Sequence, residues 1–104
     1  MQQLVKNFND NKNVHKKPMP VYARILNIQS ELGELAKDYL EHSKYGTKDF
    51  ELQEDFKLEY GDVLYCLLSL GNELNINANE CLDLVLKKYK DRIDKKQSMA
   101  NKKN

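Results

Sequence analysis

The sequence predicts an all-α fold, an antiparallel helical bundle of about four helices that is completed by oligomerisation. Three features of the chain lead to this prediction. Long stretches place apolar residues in alternating steps of four and three, the spacing of a helix face that packs on another helix. Only two prolines interrupt the 104 residues. A charged fraction of 32% leaves a thin core, so we expect a homodimer or a homotetramer to complete the burial.

The first two helices are separated by a polar loop. The first is predicted over residues 2–10, and Pro18 and Pro20 end the loop that follows it. The second helix is predicted from about residue 21 to residue 42. Its apolar seam consists of Val21, Ile25, Ile28, Leu32, Leu35 and Tyr39. A polar stripe runs beside that seam and contains Arg24, Asn27, Glu31, Glu34, Asp38 and Glu41.

The third helix repeats the design of the second. Gly46 is a predicted helix stop before it, and the first turns are expected to hold Asp49, Glu51, Glu54 and Asp55. The helix should run to about Leu74. Its seam is formed by Phe56, Tyr60, Val63, Leu67, Leu70 and Leu74. Its polar stripe holds Asp55, Glu59, Asp62 and Cys66. A short connection favours an antiparallel pair, which would bring the two stripes together.

A fourth helix is predicted after the break at residues 75–77. Asn77 can cap it, and Glu80 three residues later completes a capping-box pattern. Its apolar face consists of Ala78, Leu82, Val85, Tyr89 and Ile93. We therefore expect one helical domain over residues 1–95. Residues 96–104 have no apolar periodicity and are predicted to form a flexible polar tail.

Two copies of one motif lie in the middle helices, 28 residues apart. They are Glu31-Leu32-Gly33-Glu34 and Glu59-Tyr60-Gly61-Asp62. Residues three apart on a helix share a face, so four carboxylates should converge between the helices. The four negative charges would repel one another unless a hard divalent cation bound between them. The spacing therefore predicts a magnesium site. Each motif also has a glycine in mid-helix at a cost of about 1 kcal/mol, which suggests close helix packing beneath the acids.

These motifs carry a family resemblance. The segments Glu31-Leu-Gly-Glu-Leu-Ala-Lys37, Glu59-Tyr-Gly-Asp-Val-Leu-Tyr-Cys-Leu-Leu68 and Asn72-Glu-Leu-Asn-Ile76 resemble the MazG-like nucleoside triphosphate pyrophosphohydrolases, an all-α superfamily. The resemblance covers roughly residues 20–95. It implies Mg²⁺ (with Mn²⁺ as a possible substitute) and cleavage of a nucleoside triphosphate between its α and β phosphates. The products would be a monophosphate and pyrophosphate.

The resemblance also implies roles for individual residues. The metal ligands would be Glu31, Glu34, Glu59 and Asp62. Lys88 and Arg92, on one face of the last helix, would hold phosphates. From its position two and a half turns beyond Asp62, and apart from the resemblance, Asn72 could contact sugar or base or else act as a surface or capping residue. A carboxylate not fully engaged with metal could accept a proton from the attacking water, and we favour Glu34 for this catalytic role. Ser30 and Tyr89 depart from residues common in the family at those positions, which affects substrate contacts and not the metal ligands.

Charge and composition limit the other possibilities. Residues 1–20 and 87–104 carry net charges of +3 and +6 around a middle of −8, and the overall charge of +1 does not favour nucleic acid as a partner. No apolar run is long enough to cross a membrane, and the N-terminus lacks the features of a signal peptide, so we expect a cytoplasmic protein. Cys66 and Cys81 are predicted to be reduced and buried, and His15 and His42 to be structural or on the surface.

Two other classes of protein compete with the enzyme reading. A ferritin-like di-iron bundle would need ExxH motifs, and the sequence contains none. A non-catalytic helical interaction module could keep the fold without the activity. Such a module would have no need of four acids so close to its core, and Mg²⁺ would not stabilise it against heat.

Overall fold

Four α-helices form the protein, and the all-α prediction is confirmed. The structure, a computed structural model, describes residues 1–12 and 19–102, and within these ranges it contains no strand. The helices are α1 (Gln2–Lys12), α2 (Val21–His42), α3 (Glu54–Glu73) and α4 (Ala78–Lys102). α2 and α3 pack on each other as an antiparallel hairpin, and α1 packs on α3. His15 lies outside the described residues.

The connection between α2 and α3 is fixed by its own hydrogen bonds and by aromatic packing. The Ser43 N–H donates to the Tyr39 carbonyl at 3.0 Å, and the Ser43 hydroxyl accepts a bond from the Gly46 N–H at 3.2 Å. Gly46 has a φ of 85°, a left-handed conformation that glycine adopts at no steric cost. Beyond this turn Phe50 stacks on Tyr39 with ring centroids 4.7 Å apart and meets Phe56 at 5.0 Å.

α3 begins later than predicted. It starts at Glu54, so Asp49 and Glu51 lie in the connection and not in the first helical turns. The aromatic contacts of Phe50 hold this segment against the end of α2, and Gln53 before the helix has extended dihedral angles (φ −122°, ψ 165°). Glu54 and Asp55 do occupy the first turn, where the helix dipole favours acids.

The core of the single chain is very small. Among the described apolar residues only Leu68 is buried, with 7% of its surface exposed. Several seam residues that were expected to be covered by the hairpin remain about half exposed, including Ile25, Leu32 and Leu67. One chain therefore does not cover its own seams, because only two helices and the short α1 contribute to the packing.

α4 extends away from the bundle. Among the described residues it packs along none of the other three helices. Its apolar side chains remain exposed, with 56% of Leu82 and 55% of Ile93 accessible to solvent. The radius of gyration is 18.7 Å, whereas a compact chain of this length would have about 13 Å. Cys81 is accordingly exposed, which corrects the prediction of a buried thiol, and Cys66 is only half buried.

The N-terminus of α4 is held in place by a small network of hydrogen bonds, the clamp. The Gln2 side chain accepts a bond from the Ala78 N–H at 2.7 Å and donates to the Ile76 carbonyl at 2.6 Å. The Asn77 side-chain oxygen accepts the Glu80 N–H at 3.1 Å, which confirms the predicted cap. These bonds fix where α4 starts, although nothing in the described part of the chain covers its length.

α4 is helical through Lys102, so it includes most of the segment from residue 96 that is predicted to be a flexible tail, and Lys, Gln, Met and Ala in this segment are good helix formers. The expectation about the glycines of the two motifs is corrected. A Cβ atom added at Gly33 or Gly61 would meet nothing within 4 Å among the described residues, so neither glycine marks a close helix approach there. The close approach occurs at Gly71, where a Cβ would lie 3.0 Å from the Gln2 amide nitrogen.

No helix in the described part of the chain is both long enough and apolar enough to cross a membrane.

Candidate metal centre

Three acids from the two motifs meet between α2 and α3. Glu31 comes from α2, and Glu59 and Asp62 come from successive turns of α3. One carboxylate oxygen of each lies within 4.8 Å of the other two. Glu31 and Glu59 are half buried and Asp62 is exposed, so this carboxylate cluster (Glu31, Glu59 and Asp62) is open to solvent on one side. The antiparallel hairpin brings the motifs together as the sequence predicted.

The cluster is electrostatically unfavourable by itself. The pKa of Glu59 is raised above its ordinary value of 4.5 by burial first, and then by a group of neighbouring carboxylates. These neighbours, in decreasing order of effect, are Asp62, Glu34, Glu31 and Asp38. Each negative charge makes ionisation of the next one harder. A cation in the cluster would remove this penalty.

The fourth predicted ligand, Glu34, stands at the edge. It is exposed and is not among the three acids whose oxygens converge, yet it is close enough to Glu59 to raise the pKa of that residue. Glu34 follows Glu31 by one turn of α2, so a modest movement of its side chain would bring it into the cluster. The structure therefore groups three of the four predicted ligands and leaves Glu34 beside them.

Asp38 is a further acid that the motif reading missed. One of its oxygens pairs with His42 Nε2 at 3.2 Å, and its other oxygen, Oδ2, is buried without a hydrogen-bond partner among the described residues. Its position could have been found from the sequence, because Asp38 lies seven residues after Glu31 on the same polar stripe. His42, predicted to be structural or on the surface, is half buried and paired with Asp38.

The donor set fits a hard divalent cation. Carboxylate oxygens are the ligands that Mg²⁺ and Mn²⁺ prefer, and Mg²⁺ commonly binds through a few carboxylates together with substrate phosphates. The cluster offers such oxygens on one open side, and the unpartnered Asp38 oxygen adds a further acceptor nearby. The described part of the chain groups no His or Cys ligand with them.

The predicted substrate residues are not beside the cluster in the single chain. Lys88 and Arg92 lie on exposed turns of α4, which does not pack along α2 or α3 within the described structure. The Lys88 ammonium lies 5.9 Å from the ring centre of Tyr89. Asn72 takes part in the clamp: its amide donates to the Gln2 carbonyl at 3.0 Å, and its side-chain oxygen accepts from the Gln2 amide at 3.3 Å.

Known proteins share this architecture. The crystal structure of YpjD from Bacillus subtilis, described as a "putative pyrophosphatase", matches with a TM-score of 0.69 and 29% sequence identity, over 85% of this chain and 89% of that chain. Among curated sequences, the uncharacterized protein YpjD of Bacillus subtilis (strain 168) is 38% identical over 87 residues. This match spans 77% of the present chain and 74% of YpjD.

The fold and the acidic helical hairpin define the class of the all-α nucleotide pyrophosphatases. Within it, the chain belongs to the dUTPase family, whose sequence model matches residues 1–103. The resemblance to MazG-like enzymes is consistent with this membership and is confirmed at the level of the class. The function is accordingly of the nucleotide pyrophosphatase kind, a hydrolase activity.

Proposed function

We propose that the protein is a Mg²⁺-dependent pyrophosphohydrolase that cleaves nucleoside triphosphates between the α and β phosphates. The observation that carries this proposal is the convergence of Glu31, Glu59 and Asp62 at one open point of the hairpin. An acidic cluster that repels itself is stabilised by a cation, and a cation held by a few carboxylates retains free positions for phosphate oxygens.

The proposed metal ligands are Glu31, Glu34, Glu59 and Asp62, with Mg²⁺ or Mn²⁺ as the ion. When bound, the metal would neutralise phosphate charge and favour attack at phosphorus. Asp38 would hold this arrangement through its buried position and its contact with His42. Its negative charge also contributes to the raised pKa of Glu59, after the larger effects of burial and the three nearer acids.

Glu34 is the proposed general base. It is exposed at the edge of the cluster, so a water molecule can reach it, and as a ligand it would be less fully engaged with the metal than the other three acids. The water oxygen would form a bond to the α phosphorus, and the bond from that phosphorus to the α–β bridging oxygen would break. The proton of the water passes to Glu34, and the electron pair of the broken bond leaves with pyrophosphate.

We further propose that a second copy of the chain completes the site. The apolar face of α4 is left uncovered by the described part of its own chain, and α4 carries the net positive charge that the acidic hairpin lacks. A homodimer, or a homotetramer built from two such dimers, would bury this face. It would also allow Lys88 and Arg92 of one copy to approach the phosphates bound at the carboxylate cluster of the other.

The products of the reaction show whether the α–β phosphoanhydride bond is the one that is cleaved. Hydrolysis in ¹⁸O-labelled water with Mg²⁺ should place the label in the nucleoside monophosphate and none in pyrophosphate, as read by mass spectrometry. A panel of canonical and modified ribo- and deoxynucleoside triphosphates, including dUTP, would identify the base and sugar. Orthophosphate and a nucleoside diphosphate as products would contradict the proposal.

A matched measurement separates the enzyme from an inactive module with the same fold. Mg²⁺ should raise the midpoint of thermal unfolding, because it relieves the repulsion within the cluster. Replacement of Glu59 by Gln should remove most of this effect. A protein that shows neither metal stabilisation nor pyrophosphate release would be the helical interaction module.

A further inference from the structure

The direction of α4 is set by the short turn that follows α3. The end of α3 is fixed by its own backbone, because Asn75 has a φ of 56° and the Ile76 N–H donates back to the Gly71 carbonyl at 2.8 Å. α4 then begins at Ala78, so Asn77 joins two rigid ends. Because α4 packs along no other helix in the described part of the chain, the backbone around Asn77 decides where α4 points.

The side chain of Gln2, from α1, bridges this junction. Its amide nitrogen donates to the Ile76 carbonyl at 2.6 Å, and its amide oxygen accepts the Ala78 N–H at 2.7 Å. One side-chain amide therefore holds a backbone group on each side of Asn77. Gly71 leaves room for it, since a Cβ atom at position 71 would lie 3.0 Å from the Gln2 amide nitrogen. Gln2 thus restricts the rotation that remains between α3 and α4.

Gln2 is itself held firmly by α3. The Asn72 amide donates to the Gln2 backbone carbonyl at 3.0 Å, and the Asn72 side-chain oxygen accepts from the Gln2 amide at 3.3 Å. Near the other end of α1, the Asn9 side chain donates to the Ser69 hydroxyl at 3.2 Å and accepts a bond from the Tyr65 hydroxyl. α1 is therefore attached to α3 at both ends, and Gln2 extends that attachment to α4.

The length of α4 makes this attachment matter. Arg92 lies fourteen residues beyond Ala78, about 21 Å along the helix axis, and Lys88 lies about 15 Å along it. A tilt of about 10° at Ala78 would displace Arg92 by about 4 Å, which is more than the length of a hydrogen bond. A cation on α4 can therefore meet a phosphate in one geometry only if the junction is held.

We propose that Gln2 is a positioning residue: it holds α4 at the angle that brings Lys88 and Arg92 to phosphates at the carboxylate cluster of a second copy. The inference rests on the proposed function for the role of these two cations. Gln2 acts on the reaction through α4 and not by contact with metal or substrate. Both polar groups of the Asn72 side chain are used in the clamp, so Asn72 supports α4 in the same way.

The test compares Gln2→Met with Gln3→Met. Methionine has an unbranched side chain of similar size to glutamine, but it cannot form the hydrogen bonds of the clamp. Gln3 is the matched control, because it is the next residue of α1 and its amide donates at 2.8 Å to Asn7 within the same helix. Circular dichroism and thermal unfolding establish that both variants are folded.

Distances between spin labels measure the angle of α4 directly. The labels are attached through Lys57→Cys on α3 and Asp94→Cys on α4, both exposed positions, after the two native cysteines have been replaced by serine. An excess of unlabelled chain limits the signal to pairs within one chain. Double electron–electron resonance should give one narrow distance distribution with native Gln2 and with Gln3→Met, and a broad one with Gln2→Met. Equal widths with native Gln2 and with Gln2→Met would overturn the proposal.

Kinetics then show whether Gln2 acts through the two cations. Gln2→Met should raise KM roughly tenfold, the lower end of the range for a hydrogen bond to a charged group, while kcat and Mg²⁺ binding stay within about twofold of the wild type. Added to Lys88→Ala with Arg92→Ala, Gln2→Met should raise KM no further, because both changes remove the same contacts. A loss of Mg²⁺ binding, or a further rise in KM in the combined variant, would mean a merely structural role and would overturn the proposal.

A second variant covers the case in which Gln2→Met does not fold. Gln2→Glu keeps an acceptor for the Ala78 N–H and places a negative charge at the N-terminus of α4, which favours the helix. Its carboxylate cannot donate to the Ile76 carbonyl, so the label distribution should still change and KM should still rise. A distribution and a KM like those of the wild type would contradict the assignment.

The spin-label measurement needs no substrate, so the two proposals fail separately. A wild type that hydrolyses no triphosphate refutes the proposed function, and a broadened distribution in Gln2→Met would then still assign the angle of α4 to Gln2. An active wild type whose label distances do not respond to Gln2→Met refutes the role of Gln2 alone.

Discussion

The exposed face of α4 allows a quantitative prediction about self-association. Leu82 and Ile93 are slightly more than half exposed in the single chain. Complete burial of such a side chain is worth about 1.5–3 kcal/mol, so covering the exposed half gives about 1 kcal/mol each. A symmetric dimer buries both residues twice, and replacing both by alanine should therefore weaken it by about 4 kcal/mol. This corresponds to a dissociation constant roughly a thousandfold higher.

Sedimentation velocity over a range of protein concentrations measures this change. Alanine is a good helix former, and circular dichroism verifies that α4 remains helical in the variant. The weaker association therefore reports a change in the dimer interface and not the loss of α4. Asp91→Ala, on the opposite side of α4, is the matched control and should leave the dissociation constant unchanged. The reasoning is refuted if the wild type sediments as a monomer at micromolar concentration, or if the double variant associates as tightly as the wild type.

Three further predictions concern the site. Glu59→Gln should abolish hydrolysis and, without divalent metal, raise the stability at neutral pH. The pKa of Glu59 in the folded protein is raised, mainly by burial and the adjacent acids. The contribution of Glu59 to folding stability is therefore favourable below pH 4.5 and is lost as the pH rises through the folded pKa. Thermal unfolding should accordingly show that the stability advantage of Glu59→Gln vanishes near pH 4. Lys88→Ala with Arg92→Ala should raise KM more than it weakens Mg²⁺ binding. Below that raised KM, mixing this variant with the inactive Glu59→Gln should give more activity than the Lys88/Arg92 variant has alone; no gain in mixed dimers would mean that each chain supplies its own cations. Gly33→Ala or Gly61→Ala should stabilise the protein by about 1 kcal/mol in chemical denaturation, since no described residue lies within 4 Å of a Cβ atom added at either position, and a loss of stability would reveal a close contact made on assembly.

The sequence alone predicted four helices and the meeting of three of the four motif acids. Periodicity and the lack of interior prolines are local properties, so α2 was predicted with its observed ends, and the Asn77 cap was read from one side chain. The convergence of Glu31, Glu59 and Asp62 needed only the residue spacing and a short loop. A helix fixes which residues share a face, and an antiparallel hairpin fixes which faces meet.

Only the tertiary structure decided what covers each face and which polar atoms lack a partner. Periodicity identifies an apolar face but does not say whether the same chain buries it, and α4 proved to stand clear of the bundle. The start of α3 depended on Phe50 packing between Tyr39 and Phe56, a contact made across the connection and invisible to helix periodicity. The buried Arg24 likewise pairs with Glu73, a residue of another helix, and its Nε–H has no acceptor among the described residues. Burial and pairing are set by contacts between distant segments, and local sequence patterns do not contain them.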